Sequence, residues 1–107
     1  MKDLNISILG DIYGNLLTDK QKNIMRDYFD CDLSLSEIAQ QYGITRQAVA
    51  DTVKTGERVL IKYEEELGFG EKLSKIRAIA EQISKQLDSG NYSEAKEESA
   101  KLLNELW

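Results

Sequence analysis

A chain of 107 residues with no proline, no histidine, one cysteine and a formal net charge of −5 suits one small domain, or one with an appendage, and only a modest core. Lacking histidine, it has neither the usual general base nor the commonest metal ligand. One cysteine makes neither an intrachain disulfide nor a multi-cysteine metal site. With no phosphate loop and no motif-grade carboxylate pair either, no enzyme and no cofactor is expected. No apolar run approaches the ~20 residues of a membrane span, the N-terminus lacks a signal peptide's apolar core, and the lone Cys31 fits a reducing compartment. The expected location is the cytoplasm, with no membrane partner. Apolar residues recur at helical rather than alternating spacing, so the expected class is all-α.

In chain order, residues 5–17 read as a first helix, with Ile6, Leu9, Tyr13 and Leu16 stepping by three, four and three. Gly10 and Gly14 each weaken it by ~1 kcal/mol relative to alanine, and their spacing offers a flat patch for close helix packing. No Gly-Lys-Ser/Thr follows, so these glycines make no phosphate loop. Thr18 and Gln21 have capping-box spacing, opening a helix to about Asp30. Its apolar residues Ile24, Met25, Tyr28 and Phe29 are spaced for core packing rather than as a base-stacking platform. Asp30 and Asp32, around Cys31, lack the ligand spacing of a calcium loop and read as a solvated helix end.

The centre of the chain is the stretch from Ser34 to Lys62. Ser34 and Glu37 repeat the capping box, Ile38, Ala39 and Tyr42 form an apolar face, and Gly43 takes the left-handed position that ends a helix. Ile44 returns to the core and Thr45 caps the next helix. Ala39, Gly43 and Val49 have helix-turn-helix spacing, with a small residue where the second helix crosses and a glycine at the corner. That second helix runs to about Leu67, where Gly68 and Gly70 end it. Val49, Val53, Gly56, Leu60, Tyr63 and Leu67 form one stripe, and Gln47, Asp51, Lys54, Arg58 and Lys62 lie roughly opposite. In a helix-turn-helix the first turns of the second helix enter a groove and later cations meet phosphates. Arg46 and Gln47 suit base edges; Lys54, Arg58 and Lys62 suit the backbone. Any amphipathic surface helix shows charges opposite its core, however, and residues 1–67 hold 8 cations against 12 anions. That balance argues against an indiscriminate, charge-driven binder. Contact must be local, aided by doubling of the patch in a dimer. Glu64, Glu65 and Glu66 read as a solvated face, or as a negative patch for a basic protein partner.

Residues 71–88 carry a coiled-coil-like seam of Leu73, Ile76, Ala80, Ile83 and Leu87, flanked by Ile79. After the Ser89-Gly90-Asn91 turn, a last helix capped by Ser93 presents Ala95, Leu102, Leu103, Leu106 and Trp107. A hairpin alone buries its seam incompletely, so it folds back on residues 1–67 or pairs with a second copy. The expected organisation is a helix-turn-helix domain over 1–67 and a C-terminal helical hairpin over 68–107. A homodimer is expected, with Leu73, Ile76, Ala80, Ile83, Leu87, Leu102 and Leu106 at its contact.

Leu17-Thr-Asp-Lys-Gln21, Leu35-Ser-Glu-Ile-Ala39 and Gly43-Ile-Thr-Arg-Gln-Ala-Val49 together resemble region 4 of bacterial sigma factors. They are still closer to the YlxM family of small helix-turn-helix proteins, where the same segments occur in the same order. The resemblance covers about residues 5–67. It implies an accessory role in the signal recognition particle pathway: binding the particle's RNA or its GTPase, or regulating their expression. By analogy, Arg46, Gln47, Asp51, Lys54 and Arg58 map onto the face that sigma region 4 uses on DNA. With Thr45 and Lys62 they make up the candidate nucleic-acid site. Thr52 departs from the sigma pattern, which has an apolar core residue there, so a rotated or extended helix is expected.

Two functions of different class follow. One is a nucleic-acid-binding adaptor or regulator tied to the signal recognition particle, through its RNA or through DNA as a transcription regulator. The other is a protein-interaction module that docks on the particle's GTPase without touching nucleic acid. Salt dependence separates them, since only phosphate contacts weaken steeply with salt.

Overall fold

The computed structural model describes residues 4–106. Six helices carry the chain, with no strand among the described residues, and the fold is all-α as the spacing requires. They are α1 (Leu4–Tyr13), α2 (Asp19–Phe29), α3 (Leu35–Tyr42), α4 (Arg46–Leu67), α5 (Phe69–Asp88) and α6 (Tyr92–Leu106), with a single 3₁₀ turn, Gly14–Leu16, after α1. They form two compact units, the first ending at Gly68 and the second beginning at Phe69.

In the first unit the helix starts are set by local chemistry. Thr18 Oγ1 accepts from the Gln21 N–H at 3.2 Å while Gln21 Oε1 accepts from the Thr18 N–H at 3.1 Å. Ser34 and Glu37 repeat this at 3.0 and 3.1 Å. Each box satisfies two amides that a helix start leaves bare, and each cap is worth about 1 kcal/mol. Gly43 ends α3 at φ +66°, and the Ile44 N–H closes the turn on the Ala39 carbonyl at 3.1 Å. Thr45 Oγ1 then accepts from the Ala48 N–H at 3.0 Å and opens α4.

Helix α4 is the member against which α1, α2 and α3 all pack. Ile24, Ile38, Val49 and Leu60 are fully buried, one each from α2 and α3 and two from α4; Ile6 and Tyr13 of α1 complete the core. Gly56 explains how closely α2 approaches: a Cβ there would lie 2.6 Å from Met25 Sδ and 3.0 Å from Cε. A glycine at mid-helix costs about 1 kcal/mol of propensity, and here it makes room for a buried methionine.

Three expectations need correcting. The first helix does not reach residue 17: α1 stops at Tyr13, and Leu17 is extended at ψ 159°. Thr18 must leave the helical conformation to cap α2, so the chain tightens through a 3₁₀ turn before it. That tightening rotates Leu16 out to solvent and brings Leu17 into the core. The flat glycine patch is also absent, because Gly10 has no neighbour within 4 Å of a would-be Cβ and Gly14 only the Lys22 stem at 3.8 Å. Finally, α4 ends at Gly68 alone, at φ +67°, and Gly70 lies inside α5. Thr52 is half-buried, and its hydroxyl donates to the Ala48 carbonyl at 2.9 Å, so the helix itself satisfies the polar group at that position.

In the second unit α5 and α6 pack as a hairpin. The stripe in contact is Ile76, Ile79, Ile83 and Gln86, one step round from the expected seam; Leu73, Ala80 and Leu87 are exposed. Ile79 gives α6 more apolar surface than Ala80 does, and the rotation follows. Ala95 and the half-buried Leu102 answer from α6. Gln86 is only 8% exposed, and its Oε1 accepts no hydrogen bond. Helix α6 starts at Tyr92, one residue before the expected Ser93 cap, with the Ala95 N–H bonded to the Asn91 carbonyl at 3.0 Å. Trp107 lies outside the described residues.

Candidate nucleic-acid interface

Thr45, Arg46, Gln47, Asp51, Lys54, Arg58 and Lys62 are all exposed. From Gln47 to Lys62 they lie opposite the side of α4 that holds Val49, Val53 and Leu60 in the core, whereas Arg46 lies about 100° round from Gln47, nearer the core side. Packing on that side fixes the rotation of α4, so its outward row is rigid at the backbone. The helix is about 33 Å long at 1.5 Å per residue, nearly three times the ~12 Å width of a major groove. Only its first turns, with Arg46 and Gln47, fit inside a groove. Lys54, Arg58 and Lys62 follow at steps of about 6 Å along the axis, where a nucleic-acid backbone would run outside the groove.

The polar groups at the start of α4 are partly engaged with each other. Gln47 Nε2 donates to Asp51 Oδ1 at 2.9 Å, which leaves the amide one further N–H and a carbonyl oxygen for a ligand. Thr45 Oγ1 serves as the cap. Arg46, the first residue of α4, is exposed beside this row rather than in it.

Ile61 is a residue that helical spacing did not single out. It is exposed between the cations, and Lys54, Glu57, Arg58, Ile61, Lys62 and Glu65 together line a shallow groove along α4. An isoleucine in an otherwise charged face is the signal that could have found it. The glutamates at the end of α4 are also not uniformly solvated: Glu64 is half-buried and accepts from the Tyr13 hydroxyl at 2.7 Å. Tyr13 in turn stacks on Tyr63, ring centroids 6.0 Å apart, so α1 clamps the far half of α4. Glu65 and Glu66 are exposed.

Two further bonds brace the body behind the motif. The Tyr42 hydroxyl donates to Asp27 Oδ2 at 3.0 Å, joining α3 to α2. Burial, then the bond to Asp27 and that residue's charge, push the Tyr42 phenol above its usual pKa. The Ser7 hydroxyl donates to Asp30, joining α1 to the end of α2. Cys31 is exposed beside it, and Asp32 turns the chain at φ +55°. A recess among α1, α2 and α4 holds about 40 Å³, far below the several hundred Å³ of a small-molecule site. Among the described residues no group of three acidic or cysteine side chains is arranged to hold a metal, and no helix is long and apolar enough to cross a membrane. The expected dimer residues divide: Ile76, Ile83 and Leu102 are half-buried, whereas Leu73, Ala80, Leu87 and Leu106 are exposed.

Two capped helices joined by a left-handed glycine, the second carrying a polar row opposite a buried stripe, define a helix-turn-helix protein. The comparison with known proteins makes this specific. The chain belongs to the family of YlxM/p13-like helix-turn-helix proteins (UPF0122), whose model matches residues 1–101. It is 43% identical over 110 aligned residues to a UPF0122 protein of Desulforamulus reducens, covering 99% of this chain and 94% of that one. A UPF0122 protein of Geobacillus kaustophilus is 43% identical over 105 residues, with 98% and 94% covered. One from Shouchella clausii is 40% identical over 94 residues, with 88% and 86% covered. The family is described by its helix-turn-helix and not by an enzymatic activity.

Proposed function

We propose that this protein is a cytoplasmic nucleic-acid-binding adaptor or regulator serving the signal recognition particle pathway, and that it holds its ligand on the outward row of α4. The observation that carries this reading is the row itself: Gln47, Lys54, Arg58 and Lys62, all exposed on one helix that three others hold in place, with Arg46 exposed at its first position. Arg46 and Gln47 read base edges, with Asp51 orienting Gln47; Lys54, Arg58 and Lys62 neutralise phosphates. With 8 cations against 12 anions in residues 1–68, binding is weak beyond the row, and affinity depends on local complementarity. Membership of a helix-turn-helix family supports the class of ligand, and the family resemblance supports the particle's RNA as the first one to test.

A second reading has its own observation. Ile61 is exposed in a groove of mixed charge, a composition that suits a protein partner such as the particle's GTPase better than phosphate.

Fluorescence anisotropy with the particle's RNA and with random duplex DNA, across a salt series, tests both. Three or four phosphate contacts give a log–log salt slope of about −2 to −4; Arg58→Glu reduces it and abolishes binding near physiological salt. Preference for duplex DNA of defined sequence would instead indicate a transcription regulator. Absence of binding to either at low salt would overturn the nucleic-acid reading and turn the search to the GTPase.

A further inference from the structure

The hairpin of α5 and α6 leaves one face uncovered. At 100° per residue, Leu73, Ala80 and Leu87 lie to one side of the contact stripe of α5. Tyr92, Leu103 and Leu106 lie by the same rotational offset from the contact stripe of α6. Because the helices run antiparallel, equal offsets put both sets on the same side of the hairpin. Leu73 is 50% exposed, Leu87 48%, Tyr92 69%, Leu103 62% and Leu106 45%.

These residues are arranged large–small–large. Leu87 and Tyr92 flank the turn; Leu73, Leu103 and Leu106 lie about 20 Å away along the axis at 1.5 Å per residue. Between them the same side carries Ala80, Ser84 and Ser99, all exposed. Large side chains at both ends and small ones at the waist suit two helix pairs that cross at the middle and interdigitate at the ends.

We propose that this face binds a second copy of the same hairpin, across a twofold axis at the Ala80–Ser99 waist. Area and charge both select a copy of this chain as the occupant. At ~180–220 Å² for a fully exposed large side chain, the five residues present on the order of 500 Å². That is the upper end for a monomer's largest patch, and with the small residues between them it approaches the ~800 Å² per partner of a standard interface. Charge does not oppose self-association: residues 69–107 hold 6 cations and 7 anions. Arg77 is already paired with Glu81 at 2.9 Å beside the face. The first unit, at 8 cations to 12 anions, carries the larger net charge of the two. An isologous contact needs one self-complementary patch, and the hairpin face is one.

Sedimentation equilibrium on the full chain without nucleic acid, from about 1 to 500 µM, tests the proposal. A dimer is expected, and Leu103→Glu weakens its association at least about a hundredfold with helicity by circular dichroism unchanged. Tyr92→Glu, at the other end of the face, does the same, and so covers the case in which Leu103→Glu disturbs folding. Lys75→Ala, on the opposite side of α5, leaves the dimer within about twofold. A monomer at every concentration, or a dimer indifferent to both Leu103→Glu and Tyr92→Glu, would overturn it.

Discussion

The two units are built from the same material, amphipathic helices, and finish differently. In the first, four helices surround Ile24, Ile38, Val49 and Leu60 and leave none of these accessible. In the second, two helices have only each other, and six large apolar side chains (Phe69, Leu73, Leu87, Tyr92, Leu103 and Leu106) stay at least 45% exposed, against Ile8, Leu16 and Leu67 in the larger first unit. A helix buries one stripe against one neighbour; a closed core needs neighbours on more than one side. The difference is therefore one of helix number, not of local sequence quality.

The sharpest way to break this comparison is to make the same truncation in both units. Leu60→Ala removes a fully buried side chain and costs about 3 kcal/mol, read by urea unfolding. Leu103→Ala, measured at concentrations where the chain is monomeric, costs well under 1 kcal/mol. Equal costs would mean that the hairpin face is already covered. Next in size, Gly56→Val drives a branched side chain into Met25 and costs about 2 kcal/mol. Most of that returns in the Met25→Ala background, because the three atoms nearest a would-be Cβ all belong to Met25. In the hairpin, Gln86→Leu removes a buried carbonyl oxygen without a partner and stabilises the chain by about 1–2 kcal/mol.

A smaller effect than that of the buried core is expected at the brace between α2 and α3. Tyr42→Phe removes the bond to Asp27 and costs about 1 kcal/mol at neutral pH. The native phenol is held protonated above its unfolded pKa. The bond's contribution is therefore whole below about pH 10 and is lost as pH rises through the native value. Stability curves of the two proteins should converge in that alkaline range and stay parallel below it.

What could be seen in the residues alone was whatever is decided within a few positions along the chain. Both capping boxes, the left-handed Gly43 and the Thr45 cap each depend on neighbours three to five residues away, and all were legible. So was the face of α4, because its 3.6-residue period runs through five turns. The end of α1 was not: residues 14–17 are pulled out of the helix by the need to cap α2. The clamp of Tyr13 on Glu64 was equally hidden, since its partners are 51 residues apart. In the hairpin the pattern fitted two neighbouring stripes almost equally, and only the packing of Ile79 against α6 chooses between them. The interface row was legible as a face, but its identity as a nucleic-acid site rests on chemistry that charge spacing alone shares with any solvated helix.

The claim that one unit closes on itself while the other is completed by a second copy is tested most directly by amide hydrogen exchange at two protein concentrations. These should span the monomer–dimer transition. Protection in α5 and α6 should rise with concentration while protection in α2, α3 and α4 stays constant. Protection in α5 and α6 that is independent of concentration would contradict it.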